Sequence, residues 1–469
     1  MRFSKFCHIY EICDSRNNFY YLIRHSILNY SYFFKSDEFS ELERKMRKNE
    51  KNKILDILIA NHLIVPEDYS ERSFLEYLQS KNNKSFLGIF YLMFDTVCNL
   101  DCKYCYTEGS IAKNFNRQVS SKETLKKVFD FIEQIILEGK LDEKISDKLN
   151  FIFYGSEPLM HPSLFKYSLE RINRISEKFR IPCEKQMISN LTLLDKPLAE
   201  IIKKEKVEVV ISLDGPKKIH NQMRIFHNKR GSFDAVLKGI NILNNLKIPF
   251  CISCTIGPHN FLRLNESIDF FKKIKARAIG FNLLLDAKFR QIPLVSNFLT
   301  NKVLFDSFKY ARNKGFFESR VGRKLKVFNS PGKIHLRDCG AYGNQLVFFP
   351  NGDIAPCQGY LGCRKNILGN VLSTTPRRIL NSKIIKKWIL SSPLNKEECS
   401  FCPAIGICGG GCLFSNEINN GKIKSRNKAF CMHSLISLDW FIKKSLEDKL
   451  NDKNLYIRDI RFLYSDKLI

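Results

Sequence analysis

The sequence FLGIFYLMFDTVCNLDCKYCY occupies residues 86–106 and joins the two features that decide the fold. Its first half, FLGIFYLMFD (86–95), is an apolar run with the length of a β-strand. Its second half contains Cys98, Cys102 and Cys105 in the spacing C-x3-C-x2-C. A structural zinc site needs four ligands, so three thiols are one ligand short of that kind of site.

The run at 86–95 is the first of six apolar runs that alternate with amphipathic helices. The other strands are expected at 149–155, 184–190, 207–215, 250–257 and 278–286, and the helices at 120–139, 162–179, 195–205, 232–246 and 261–275. In the first helix, Ser120 and Glu123 predict a capping box and Gly139 predicts the C-terminal stop. The alternation predicts parallel βαβ units. Six units are too few for an eight-fold barrel, so the predicted fold class is α/β with a partial (β/α)6 TIM-type barrel.

Other regions of the chain differ from the barrel core in composition and in predicted secondary structure. Residues 1–85 predict a small N-terminal α+β module, residues 86–300 the barrel core, and residues 301–338 a connector. Residues 339–445 form a region rich in Cys and Gly, with a turn at PNGD (350–353) and helices near 376–390 and 433–449. Residues 446–469 read as a charged tail.

Composition limits the class of protein. The chain has 469 residues, a net charge of +28 and 44% hydrophobic residues, which is enough for two or three domains. No apolar run reaches the roughly 18 residues of a membrane span, and the first residues lack the apolar block of a signal peptide. We therefore expect a cytoplasmic protein without membrane contact. The positive charge indicates an acidic partner or a biased composition, and no basic-aromatic ribbon favours nucleic acid.

Most of the sixteen cysteines lie in tight clusters or in the glycine-rich region after residue 338, which in a reducing cytoplasm indicates metal or redox chemistry rather than disulfides. The three-cysteine loop follows the first predicted strand, and the motifs YGSEP, SNLT and SLDGP follow the next three. In parallel βα folds, active and binding sites lie at the carboxyl ends of the strands. A [4Fe–4S] cluster has four irons, so three thiolates leave one iron open to a substrate or cofactor.

This C-x3-C-x2-C loop after the first strand of a partial barrel resembles the radical S-adenosylmethionine (SAM) superfamily. The resemblance implies that Cys98, Cys102 and Cys105 hold a [4Fe–4S] cluster whose open iron binds SAM. It also implies that reductive cleavage of SAM gives a 5′-deoxyadenosyl radical, which abstracts hydrogen from the substrate. The alternative is a zinc knuckle whose fourth ligand is distant in sequence.

Further residues resemble the SAM-binding motifs of that superfamily. The implied SAM contacts are Tyr104, Gly155, Ser156, Glu157, Asn190, Ser212, Asp214 and Arg224. Among them, Glu157 offers a charged acceptor to the SAM amino group, and Arg224 is expected to clamp a carboxylate. Two positions depart from the motifs. Ser156 replaces a glycine, which is tolerable unless its φ is positive, and Leu191 stands where glycine is usual.

The C-terminal cysteines resemble the SPASM extension of peptide-modifying radical SAM enzymes, which holds two auxiliary [4Fe–4S] clusters. By position, the first cluster would use Cys339, Cys357 and Cys412, and the second would use Cys399, Cys402, Cys408 and Cys431. The first set is one thiolate short. Either Cys363 supplies the fourth ligand or the cluster stays open to substrate. A zinc site on the second set is the alternative.

The resemblance covers roughly residues 86–440 and implies an enzyme that modifies a ribosomally made peptide or protein. Its partners would be that substrate, with an acidic leader as one option, and a reductant such as a flavodoxin or ferredoxin. Residues 1–85 would recognise the leader or merely cap the barrel.

Three alternative functions remain. Sulfatase-type formylglycine maturation fits less well, because Gln358 stands where those maturases have an aspartate base. Dehydrogenation of a small molecule is the second. The third, from another class, is a basic zinc-containing nucleic-acid-binding protein.

Overall fold

The computed structural model describes residues 1–14, 16–50, 52–84, 86–107, 116–284, 297–361 and 365–450. The strands are β1 (Arg2–Phe3), β2 (Cys7–Cys13), β3 (Phe19–His25), β4 (Ser31–Lys35), β5 (Ile64–Val65), β6 (Leu87–Leu92), β7 (Ile145–Phe153), β8 (Cys183–Ser189), β9 (Glu208–Ser212), β10 (Phe250–Ile256), β11 (Ala278–Leu283), β12 (Phe317–Glu318), β13 (Gln345–Phe348), β14 (Asp353–Ala355) and β15 (Gly369–Asn370). The α-helices are α1 (Ser36–Lys48), α2 (Lys53–Ala60), α3 (Glu71–Asn82), α4 (Lys122–Leu141), α5 (Pro162–Phe179), α6 (Lys196–Lys204), α7 (Lys217–His220), α8 (Phe233–Asn245), α9 (Leu264–Lys273), α10 (Asn297–Asn313), α11 (Ser319–Phe328), α12 (Pro376–Leu380), α13 (Lys383–Ile389), α14 (Ile405–Cys408), α15 (Leu413–Asn420) and α16 (Lys428–Leu450).

A ten-stranded sheet forms the centre of the molecule, in the order β12-β11-β10-β9-β8-β7-β6-β13-β14-β15. The strands from β12 to β13 in this order pair in parallel, whereas β14 and β15 are antiparallel additions. Among the described strands, none joins β12 to β15, so the sheet stays open. The six predicted core strands are β6 to β11, and the predicted α/β partial barrel is confirmed.

Helix α4 illustrates why the chain folds in this way. Its apolar stripe is fully buried, as the helical period predicts: Leu125, Val128, Phe129, Ile132, Ile135 and Ile136. The predicted cap is wrong by one residue, because the Oγ of Ser121 accepts the N–H of Thr124. The predicted stop at Gly139 is also wrong. Gly139 lies inside the helix, where a Cβ would come within 2.4 Å of Ile145.

The segment predicted as a connector, 301–338, contains regular structure. It holds most of α10, then β12 and α11, and β12 pairs in parallel with β11. The turn at 350–353 joins antiparallel β13 and β14 as predicted. The single helix predicted at 376–390 is instead two helices, α12 and α13, because Ser382 caps a new helix by accepting the N–H of Ile384. Among the described helices, none is long and apolar enough to cross a membrane.

The N-terminal module is a three-stranded antiparallel sheet, β2-β3-β4, with α1 to α3 beside it. It packs against the cysteine-rich C-terminal region. The N–H of Gly406 donates to the carbonyl of Ser26 at 2.9 Å, and the rings of Phe6 and Phe401 stack with centroids 5.3 Å apart. A Cβ at Gly406 would lie 2.4 Å from that carbonyl oxygen, so the close approach requires glycine.

Candidate functional site

A cavity of about 440 Å³ lies at the carboxyl ends of the parallel strands. Ser212 on β9, Ser253 on β10 and Asn282 on β11 line it, so it opens at the mouth of the barrel. Cys98, Cys102 and Cys105 line the same cavity, as do Cys339, Cys357 and Cys412. Open α/β sheets bind ligands at this edge. The structure therefore brings two of the three predicted cysteine sets to one site.

Hydrogen bonds fix the three-cysteine loop at the cavity. The N–H of Lys103 donates to the carbonyl of Met223 at 2.9 Å, which ties the loop to the segment that carries Arg224. The side chain of Asn190 donates to Sγ of Cys98 at 3.6 Å. Burial raises the pKa of the Cys98 thiol well above its usual value, so a bound metal centre is needed to stabilise its thiolate. Three soft thiol donors from one loop fit an iron–sulfur cluster.

Gly155 and Ser156 line the cavity after β7. Gly155 has a φ of 120°, and a Cβ there would lie 2.5 Å from Cε of Met93, so the position requires glycine. Ser156 is not among the described residues with positive φ, and its Oγ donates to the carbonyl of Asp95 at 3.0 Å. Because Ser156 does not need a positive φ, serine is tolerated at this position.

Glu157 lies behind the cavity wall rather than in it, with a relative exposure of 1%. Its carboxylate accepts hydrogen bonds from Oγ of Ser189 at 2.7 Å, the N–H of Asn190 at 2.7 Å and the N–H of Leu159 at 3.1 Å. Burial raises the pKa of Glu157 to about 7, although these three hydrogen bonds oppose the shift. Glu157 thus orients Asn190, which lines the cavity.

Leu191 adopts the left-handed conformation, with a φ of 61°. Its side chain is fully buried. A Cβ at Gly239 would lie 2.7 Å from the carbonyl oxygen of Leu191, so the chain packs closely around it. A leucine in this conformation costs about 1–2 kcal/mol relative to the right-handed region. The position therefore holds a strained but buried leucine side chain.

Asp214 also lies behind the wall, where it supports three residues that line the cavity. It accepts hydrogen bonds from Nε of Arg224 at 3.2 Å, from the phenol of Tyr104 and from the N–H of Thr255 at 3.1 Å. The guanidinium carbon of Arg224 lies 5.2 Å from the ring centroid of Tyr104. Burial alone would raise the pKa of Asp214, but Arg224 and His259 hold it well below its usual range. The carboxylate therefore stays ionised opposite Arg224.

Of the C-terminal cysteines predicted as cluster ligands, Cys339, Cys357 and Cys412 line the cavity. Burial raises the pKa of the Cys357 and Cys412 thiols. Cys363, the candidate fourth ligand, lies outside the described residues. In the second set, burial and neighbouring thiols raise the pKa values of Cys399, Cys402 and Cys431, and none of its four cysteines, which include Cys408, lines the cavity.

Whether these thiols converge on one point decides which kind of metal centre they could hold. Among the described residues, no group of three or more His, Cys, Asp or Glu side chains converges on a single-ion site. Thiolates of a [4Fe–4S] cluster bind different irons, so a cluster does not need such convergence. The assignment of ligands to either set remains a prediction.

Gln358, directly after Cys357, lines the cavity. Its Oε1 is buried and has no hydrogen-bond partner among the described residues. An unpaired buried acceptor costs about 1–3 kcal/mol, so a donor on a bound ligand is expected to contact this oxygen. Because its side chain is an amide, Gln358 offers no proton-accepting carboxylate to the ligand space.

Two arginines at the cavity were missed by sequence reasoning. Arg320 and Arg323, on α11, line it. Arg320 donates to the carbonyl of Phe281 and to Oδ1 of Asn282 at 3.0 Å. Helix α11 follows a strand of only two residues in a segment without a motif, so no sequence pattern indicated that these side chains reach the site.

Asp95, also missed, holds the base of the three-cysteine loop. It is fully buried and accepts hydrogen bonds from the N–H of Val97 at 2.9 Å and from Nε of Arg117 at 3.2 Å. Nε2 of His161 lies 2.9 Å from the other carboxylate oxygen. The sequence signal that could have identified Asp95 is its place at the end of the predicted apolar strand, three residues before Cys98.

Comparisons with known proteins identify relatives of this chain. Residues 94–271 match the family model described as the radical SAM superfamily. The radical SAM cyclopropyl synthase TigE of Paramaledivibacter caminithermalis is 24% identical, over 96% of this chain and 92% of TigE. The cysteine-type anaerobic sulfatase-maturating enzyme of Clostridium perfringens (strain 13 / Type A) is 24% identical, over 67% of this chain and 85% of that enzyme.

Two solved structures share the fold. Native anSMEcpe with bound AdoMet aligns with a TM-score of 0.61 and 21% identity, covering 78% of this chain and 99% of anSMEcpe. Streptococcus suis SuiB bound to the precursor peptide SuiA aligns with a TM-score of 0.53 and 14% identity, covering 92% of this chain and 99% of SuiB. At these identities the likeness establishes the fold alone.

Proposed function

We propose that this chain is a radical SAM enzyme that installs a modification on a ribosomally made peptide or protein. Residues 94–271 match the radical SAM superfamily model, and TigE, which aligns with 96% of this chain, is a radical SAM enzyme by name. It is an enzyme whose cofactors are SAM and iron–sulfur clusters. When bound, these cofactors supply one-electron cleavage of SAM and the hydrogen-atom abstraction that follows from it. The alternative of a zinc-containing nucleic-acid-binding protein is therefore set aside.

The proposed cluster ligands at the barrel mouth are Cys98, Cys102 and Cys105. The proposed SAM contacts are the predicted residues that line the cavity: Tyr104, Gly155, Ser156, Asn190, Ser212 and Arg224. Glu157 and Asp214 do not line the cavity, but each accepts hydrogen bonds from residues that do. Glu157 positions Asn190, and Asp214 holds Arg224 and Tyr104 through the hydrogen bonds described above. Both carboxylates are thus positioning residues rather than direct contacts.

The observation that carries the proposal is the shared cavity. Its lining joins the three-cysteine loop to Cys339, Cys357 and Cys412, so a side chain bound there would have one proposed metal centre on each side. The buried Oε1 of Gln358 offers an acceptor for a peptide N–H beside it. We propose that the three C-terminal thiols hold the first auxiliary cluster, and that Cys399, Cys402, Cys408 and Cys431 hold the second.

The relatives support a peptide or protein substrate. SuiB was solved with its precursor peptide, and sulfatase-maturating enzymes take a protein substrate by their name. TigE, which matches this chain nearly end to end, is a cyclopropyl synthase by name. Formylglycine formation is the second candidate, because the sulfatase-maturating enzymes match two thirds of the chain. Gln358 disfavours it, since an amide cannot accept the substrate proton at neutral pH.

The N-terminal module is proposed to recognise the leader segment of the substrate. Its sheet leaves β2 and β4 as edges, and an extended peptide can add to such an edge. Residues 1–85 contain 14 Lys and Arg against 12 Asp and Glu, so net charge would contribute little to leader binding there. An acidic leader is therefore not required by this module.

Co-expression tests the proposal. The protein would be produced anaerobically with each short open reading frame beside its gene, and the peptides analysed by mass spectrometry. We expect one peptide to change mass, and the change to disappear with Cys98→Ala. A control peptide that carries a cysteine-type sulfatase motif should remain unmodified. Conversion of that cysteine to formylglycine, with every neighbouring peptide unchanged, would contradict the proposal and favour the second candidate.

A further inference from the structure

A run of 43 residues without acidic side chains includes Cys357 of the first auxiliary cysteine set. Residues 354–396 contain eight Lys and Arg and no Asp or Glu, which makes them the longest acid-free stretch of the chain. Five of these cations lie on α12 and α13, and we call them the basic face: Arg377, Arg378, Lys383, Lys386 and Lys387. All five side chains are exposed. On α13, the three lysines at i, i+3 and i+4 share one side of the helix.

The cations of the basic face carry no ion pair among the described residues, unlike several other exposed lysines of the chain; the nearby carboxylate of Asp142, which Arg377 attracts only weakly, pairs with Lys144 instead. Lys126, Lys217 and Lys443 each pair with an aspartate within 3.0 Å. None of the five side chains of the basic face forms an ion pair or a hydrogen bond with another described residue. Like charges at this spacing repel one another and destabilise a helix. An acidic partner would remove that repulsion.

The buried side of α13 packs in the same hydrophobic cluster as Cys357, a proposed cluster ligand. Trp388, next to Lys387, is fully buried, and its ring centroid lies 5.9 Å from that of Tyr360. Trp388 and Tyr360 belong to one hydrophobic cluster with Cys357. The N–H of Gly359, next to Tyr360, donates to Sγ of Cys357 at 3.4 Å. Two aromatic side chains therefore separate the basic face from a proposed cluster ligand.

We propose that the basic face docks an acidic one-electron carrier protein of the flavodoxin or ferredoxin type. The inference rests on the proposed function, which requires an external electron. One electron leaves the reduced carrier, which is thereby oxidised, and enters this protein, which is reduced. Charge complementarity steers such encounters and makes them depend on salt. The face has no exposed aromatic ring on α12 or α13 for base stacking, so it fits an acidic protein better than a single-stranded nucleic acid.

Charge reversal separates docking from catalysis. The test variant is Lys383→Glu/Lys386→Glu/Lys387→Glu. The matched control, Lys203→Glu/Lys204→Glu/Lys238→Glu, makes the same charge change at exposed lysines of α6 and α8. Release of 5′-deoxyadenosine from SAM is measured in the reconstituted full chain with reduced flavodoxin or with dithionite, which needs no docking face. Binding of labelled flavodoxin is measured separately by fluorescence anisotropy, which requires no turnover.

We expect the test variant to lose about ten-fold in the flavodoxin-driven rate and in flavodoxin affinity, with its dithionite-driven rate within about two-fold of the wild type. The control variant should match the wild type in all three measurements, and salt should weaken wild-type binding.

Three results would overturn the inference. One is an unchanged flavodoxin affinity in the test variant. Another is an equal loss of the flavodoxin-driven and dithionite-driven rates. The third is loss of binding to an acidic peptide or oligonucleotide while flavodoxin binding persists. If the wild type releases no 5′-deoxyadenosine with dithionite, the proposed function fails, and the anisotropy measurement still decides the docking face.

Discussion

The phenol oxygens of Tyr106 and Tyr154 lie 2.9 Å apart and share a hydrogen bond. Tyr106 directly follows Cys105, whereas Tyr154 directly follows β7. The bond therefore ties the three-cysteine loop to the central sheet, and both rings line the cavity. Tyr106 also packs against Phe414, with ring centroids 6.2 Å apart, which links it to the C-terminal region.

Removing one hydroxyl of this pair should weaken the fold locally. We expect Tyr154→Phe to lower the free energy of unfolding by about 1 kcal/mol, because the phenol of Tyr106 loses its partner. Urea denaturation of the purified protein measures this loss. Tyr77→Phe, at a tyrosine that is 57% exposed, is the control and should leave stability unchanged. Equal midpoints for both variants would show that the hydrogen bond contributes nothing.

Asp214 is expected to govern SAM affinity without contacting SAM. In Asp214→Asn, Arg224 loses its buried counter-charge, and breaking such a pair costs about 3–5 kcal/mol. We expect the Kd for SAM to rise at least about ten-fold, measured by equilibrium dialysis. The control is Asp234→Asn, which removes an exposed ion pair with Lys217 and should have no effect. An unchanged Kd in Asp214→Asn would contradict the positioning role.

Glu157 should make stability depend on pH. Because burial raises its pKa from 4.5 to about 7, the folded state holds a proton that the unfolded state has already released in this interval. The free energy of unfolding from this group therefore falls by roughly 3 kcal/mol as pH rises from 4.5 to 7, and levels off above 7. Glu157→Gln should flatten the profile over that interval in urea melts at a series of pH values. A parallel profile in the variant would mean that another group titrates.

Leu191 allows a test of backbone strain. Leu191→Ala and Leu191→Gly both remove a fully buried side chain, and each should destabilise the protein by about 2–5 kcal/mol. Glycine also relieves the positive φ, so Leu191→Gly should be more stable than Leu191→Ala by about 1 kcal/mol. Denaturation midpoints decide the order. The reverse order would show that the position is not strained.

Much of this architecture is encoded locally. The six core strands and the buried stripe of α4 follow from apolar periodicity, and the cysteine spacings predict three sets of thiols, two of which line one cavity. By contrast, β12 exists only because it pairs with β11, and its two residues carry no pattern of their own. The hydrogen bonds of Asp95, and the approach of Arg320 to the cavity, also depend on contacts distant in sequence. The motif match placed Glu157 and Asp214 at the site, but only tertiary packing reveals that they act from behind it.

Release of 5′-deoxyadenosine from SAM tests most directly whether the cysteine loop at the barrel mouth is a radical SAM centre. The measurement compares anaerobically reconstituted wild type, Cys102→Ala and Cys251→Ala under dithionite; Cys251 lies on β10 and is not among the cavity-lining residues. We expect product from the wild type and from Cys251→Ala, and none above background from Cys102→Ala. Undiminished release by Cys102→Ala, or an iron-loaded wild type that releases none, would contradict this account.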